Sequence, residues 1–160
     1  MTSRHNTHDT HPFAVWFSSE GLAFFTSPEG DLIECGLRCD GAAGLIRAWH
    51  VPDEHRAIVV VELLLDVRPG QLAVAIETAN ELNLPLNEGS FEINPKAHGI
   101  YFRTSTVLPP HGLPLEQISD FLHKAVTTFR LGFTVFQDVL HHGIPPQIAV
   151  AGLQQQDRNS

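Results

Sequence analysis

Basic side chains are the first scarcity: 10 Lys and Arg stand against 18 Asp and Glu, a formal charge of -8. Attraction to a phosphate backbone supplies most non-specific nucleic-acid affinity, so this charge argues against nucleic acid as a partner, and against a membrane surface for the same reason. Cysteine is nearly missing too. Cys35 and Cys39 are too few for a disulfide scaffold and suit a reducing compartment; they form neither a redox Cys-x-x-Cys nor a zinc-binding set with a second pair. No apolar run approaches the ~20 residues that span a bilayer, because Glu62 interrupts the longest one after Ile58-Val59-Val60-Val61. The polar, His-rich stretch from Met1 to His11 has no apolar core of a secretory signal, and the expected location is the cytoplasm.

Signatures of catalysis are likewise missing. There is no Gly-x-Ser-x-Gly elbow, and no pair of carboxylates sits in an evidently apolar setting. Gly41-Ala42-Ala43-Gly44 lacks the Lys and the Ser or Thr of a phosphate loop and reads as part of a small-residue loop from Arg38 to Gly44. Histidine is plentiful, yet no spacing fixes a tetrahedral site: His5, His8 and His11 lie with Asp9 in the polar lead, His50 and His55 flank a turn, and His141-His142 fall at a helix end, where imidazolium favours the dipole. The expectation is therefore a protein that is not an enzyme, with no cofactor and no metal.

What remains is a chain of 160 residues, 42% hydrophobic, enough for one domain with a real core. Residues 1–11 read as a disordered lead, 12–142 as the domain and 143–160 as a C-terminal tail, loose at its end. Phe13, Trp16 and Phe17 mark a short helix that stops at Gly21. A hairpin follows, from Leu22-Ala23-Phe24-Phe25 to Leu32-Ile33-Glu34-Cys35, and then Leu45 to Val51 and Arg56 to Asp66. The run Ile58 to Leu65 is apolar on both faces, as in a central strand covered on each side or covered in part by an oligomer partner. Leu72, Ile76, Ala79 and Leu82 share one helix stripe; Phe91-Glu92-Ile93-Asn94 and Ile100 to Ser105 alternate as a second hairpin. Leu115 to Leu140 follows the helical period closely.

Two sets of positions invite a functional reading. Leu131 and Val135 fall on the far side of the long helix from its main stripe, a second apolar patch suited to a subunit or partner contact. Gly132, close to the main stripe, costs helix propensity and predicts a kink or a close approach. Asn83 lies on the apolar stripe of its helix, where an unsatisfied amide costs about 1 to 3 kcal/mol. It either ties the helix end to the Leu84-Pro85 turn or, with Asn80, Tyr101 and Arg103, reaches a ligand, which is the alternative of a small-molecule sensor or cryptic enzyme.

Trp16 with Gly21-Leu22-Ala23-Phe24, Ala79-Asn80-Glu81-Leu82-Asn83, Phe91-Glu92-Ile93, Ile100-Tyr101-Phe102-Arg103 and Leu113-Pro114-Leu115-Glu116-Gln117-Ile118 together resemble the YbjN-type family of proposed bacterial sensory transduction regulators, similar in fold to type III secretion chaperones. The resemblance implies an α+β fold in the order α-β-β-β-α-β-β-α, a twisted antiparallel sheet of about five strands, frequent homodimerisation, and the binding of a protein partner rather than catalysis. It carries over no active-site residue.

Overall fold

Three aromatic rings spaced along one helical face start the described chain. In the computed structural model, which describes residues 11–157, Phe13, Trp16 and Phe17 are buried by α1 (Ala14–Ser19), which Gly21 ends at φ +67°. His11 precedes it and is only 3% exposed, so the chain is already in the core before the expected boundary at residue 12. Its Nδ1 accepts the Phe13 N–H at 3.3 Å, its Nε2 has no hydrogen-bond partner among the described residues, and the His50 ring stands 6.3 Å away. Burial first, then the neighbouring His50, lowers the His11 pKa from 6.5 to about 4.

The strands follow as β1 (Phe25–Thr26), β2 (Leu32–Cys39), β3 (Ala42–Val51) and β4 (Arg56–Leu63); after α2 (Leu72–Asn83) come β5 (Ser90–Asn94) and β6 (Gly99–Val107). They form one antiparallel sheet in the order β1-β2-β3-β4-β6-β5, six strands against the five expected, and the α+β class holds. The expected loop from Arg38 to Gly44 is instead a two-residue hairpin. Asp40 and Gly41 both adopt positive φ, +48° and +85°, which matches the twist of the flanking strands, so Cys39 pairs with Ala42 and both strands run on. Small residues there are required by packing: a Cβ on Gly44 would stand 2.7 Å from the Phe129 ring.

The long helix, α3 (Leu115–His142), lies against one face of the sheet and buries Ile118, Leu122, Ala125, Phe129, Phe133 and Phe136. Gly132 does mark a close approach, by a side chain rather than by another backbone. The Phe91 ring rests on it, and a Cβ there would sit 2.2 Å from that ring. Beyond Gly143, in the αL conformation at φ +68°, the expected loose tail forms α4 (Pro146–Asp157). Pro146 suits the first turn of a helix, Val150 is buried, and the Gln147 side chain donates to Glu77 Oε1 of α2 at 2.7 Å. The tail is a packed element because α2 and α3 leave an apolar seam that its weakly periodic sequence can still cover.

Candidate functional site

Strand geometry sends alternate side chains to opposite faces. Ile46, Ala48, Val59, Val61, Ile100 and Phe102 meet the helices and are buried. The intervening residues point the other way, where none of the described helices packs. Leu32, Leu45, Trp49, Val51 and Ile58 are half-buried there, and Val60 is 9% exposed. The register joins them into rows: Leu32 opposes Trp49, Trp49 opposes Ile58, and Val60 lies between Arg47 and Arg103. Phe25, opposite Glu34, and Val107, opposite Arg56, extend the face to its margins at 61% and 71% exposure. The central strand is thus covered on one side only. On the other side its apolar positions are screened by neighbouring side chains of the sheet alone, Val60 almost fully and Ile58 in part.

Several of the charges on this face are paired within it, while Arg38 at the end of β2 is exposed. Arg47 Nε donates to Glu34 at 2.7 Å and its Nη1 to Glu62 at 3.0 Å, a ladder across three strands. These bonds, that to Glu34 foremost, hold the guanidinium above its ordinary pKa against the opposing effect of burial. Each partly screened pair contributes no more than about 1 kcal/mol. Arg103 meets Glu92 at 3.5 Å. Trp49, Val60, Tyr101 and the two arginines border a shallow depression of about 460 Å³, and the Tyr101 ring folds back over Gly99, where a Cβ would stand 2.6 Å from its hydroxyl. The face offers apolar surface crossed by charge that is in part neutralised within it.

The residues singled out from sequence fare differently. Val135 is 1% exposed and belongs to the core, and Leu131 is half-buried, lining a depression with Val150 and Leu153 of α4. They are not a free partner patch. The reason is α4, which occupies the side of α3 that a loose tail would have left open. Asn80, Asn83, Tyr101 and Arg103 do not converge. Asn80 is exposed on α2; Asn83 donates to Phe91 O at 3.0 Å and accepts the Phe91 N–H at 2.7 Å; Tyr101 and Arg103 lie on the open sheet face. Asn83 therefore ties its helix to β5 rather than to the Leu84-Pro85 turn, and satisfies an outward-facing backbone pair that a sheet edge would otherwise leave free.

Cys35 is buried, which raises its pKa, and Cys39 is half-buried. His142 meets Asp138 at 3.1 Å in the last turn of α3. Among the described residues no three His, Cys, Asp or Glu side chains are grouped to hold a metal ion; the cluster of His5, His8 and Asp9 lies outside them. None of the described helices is long and apolar enough to cross a membrane. The apolar run of β4 points to this face from sequence, and β3 carries a further signal of the same kind. Leu45, Trp49 and Val51 alternate with Ile46 and Ala48, apolar in both phases of one strand.

No family model matches the chain, and no curated protein is similar to it. Among solved structures it is similar to YbjN from E. coli, a proposed transcription regulator, with a TM-score of 0.54 and 13% identity over 74% of this chain and 84% of that one. A second likeness is to the HopA1-SchA chaperone-effector complex, with a TM-score of 0.49 and 11% identity over 74% of this chain and 88% of that one. The likeness to YbjN is one of fold.

Proposed function

We propose that this chain is a non-enzymatic protein-binding module, chaperone-like or regulatory, that works in the cytoplasm and docks a protein partner on the uncovered face of its sheet, a second copy of itself included. One observation carries the reading: the outward positions of β3 and β4 include Leu45, Trp49, Val51, Ile58 and Val60 beside the charged Arg47, Arg56 and Glu62, where an antiparallel sheet facing water would be mostly polar. Burying such a face against another chain stabilises the pair by roughly 25 cal/mol per Å² of apolar surface, before the cost of association is subtracted. The charges of Arg47, Glu34 and Glu62 enter that contact already paired with one another, so the partner need not supply counter-charges, although removing their remaining water opposes it. The fold shared with YbjN supports the regulatory form of the reading.

The test is a single substitution with two readouts. Light scattering at micromolar concentration should give the mass of a dimer for the wild type and of a monomer for Trp49→Glu, with unchanged circular dichroism. Capture from the native cell should lose its co-purifying proteins with the same substitution. A wild-type monomer that captures the same proteins with and without Trp49→Glu would end the proposal.

A further inference from the structure

The helical side of the molecule carries a second feature, independent of the sheet face. Two depressions of about 210 and 290 Å³ lie end to end along α3, joined through Leu86 and Thr128, which border both. Phe121, Lys124, Ala125, Thr128 and Leu131 recur at helical spacing and form one wall. From Phe121 to Leu131 that wall runs about 15 Å at the helical rise. The space is a trough, long and narrow, and its combined size reaches the range of small-molecule sites.

Its two ends differ in chemistry. The inner end is bordered by Leu82, Pro85, Phe91, Leu131, Val150 and Leu153, and its one polar side chain, Thr128, stands at the junction with the outer end. The outer end is bordered by Asn87, Glu88, Thr104 and Lys124. Thr104 is 8% exposed, and its hydroxyl makes no hydrogen bond to another described residue. The Thr128 hydroxyl makes none either, although Thr78 and Thr134, also on helices, donate to the carbonyls of Val74 and Arg130. Lys124 has no carboxylate within ion-pair distance among the described residues, and it is one of two lysines in the chain. Glu88 also borders a neighbouring depression that contains Arg56 and Arg103, so it is shared between two sites. Two hydroxyls and an exposed ammonium at one end of an apolar trough suit a ligand that accepts hydrogen bonds and carries negative charge there.

We propose that the trough along α3 binds an unbranched medium-chain carboxylate, with the alkyl chain among Leu82, Leu131, Val150 and Leu153 and the carboxylate at Lys124, Thr104 and Thr128. An elongated apolar space excludes a broad aromatic ligand. A cationic head would meet Glu88 alone and leave the two hydroxyls without an acceptor.

Isothermal titration calorimetry with decanoate below its micellar concentration tests this directly, with decanol and decylamine as the neutral and cationic counterparts. Decanoate should bind with saturation, about tenfold tighter than decanol, and decylamine should bind no tighter than decanol. Lys124→Ala should bring decanoate down to the decanol level and leave decanol unchanged. Leu131→Trp should abolish both by filling the inner end; Thr128→Leu, at a half-buried position, does the same at the junction should the first variant melt early. No saturable binding of decanoate, equal binding of decanol, or full binding by both filled variants would each overturn the proposal.

Discussion

At His11 the structure isolates the effect of one buried imidazole. Its ring is enclosed between the start of α1 and His50, and its Nε2 has no hydrogen-bond partner among the described residues, so burial and His50 oppose protonation more strongly than Asp31 and the Ala48 carbonyl favour it. The folded pKa, about 4, lies below the ordinary value of 6.5, so as pH falls the unfolded chain takes up the proton first. The stability conferred by neutral His11 is therefore complete above pH 6.5 and is lost progressively down to about pH 4, by an amount on the order of 3 kcal/mol. Urea unfolding at several pH values should show this slope, and His11→Phe should flatten it. An unchanged slope in that variant would assign the acid sensitivity to other groups. The same scale explains Gly44 and Gly132. Each lacks a side chain because an aromatic ring occupies its place, Phe129 in one case and Phe91 in the other, which sequence spacing announces only as an oddly placed glycine.

At the scale of elements, the pieces with one strong period were legible in advance. The helix over Leu115 to Leu140 and the hairpin of β5 and β6 emerge close to their expected bounds, because periods of 3.6 and 2 are set by local backbone geometry. The element that escaped was α4, with Pro145-Pro146 at its start, Gly152 within it and an exposed Ile148. Its stability comes from the seam between α2 and α3, into which Val150 is buried, rather than from its own propensity. Val150→Asp should therefore release α4 and cost about 2 to 4 kcal/mol. Amide exchange should then be fast along α4 while the sheet stays protected; α4 amides as slow as in the wild type would contradict this account. α4 shields Leu131, so the packing of the tail and the closing of that part of the α3 surface are one event.

At the scale of the whole molecule, a sheet with helices on one side and apolar side chains on both is the feature on which function turns. Each copy carries a formal charge of -8, whereas Arg47 on the open face is matched by Glu34 and Glu62, and Arg103 by Glu92. Association through that face meets long-range repulsion but depends on no intermolecular ion pair, so raising salt from about 0.05 to about 0.5 M should strengthen it. Light scattering across that range checks the sign, and dissociation at high salt would point to a charge-driven contact elsewhere. Composition and periodicity alone determined the mix of helices and strands, the acidic charge, helices α2 and α3 and the apolar excess of β4, since each depends on residue type and near neighbours. Only the tertiary structure decided which face the helices cover, that Asn83 serves a strand edge, and that Leu131 and Val135 are enclosed. Those outcomes depend on contacts between residues far apart in the chain, such as Phe129 on Gly44 and Val150 between α2 and α3, and no local pattern specifies them.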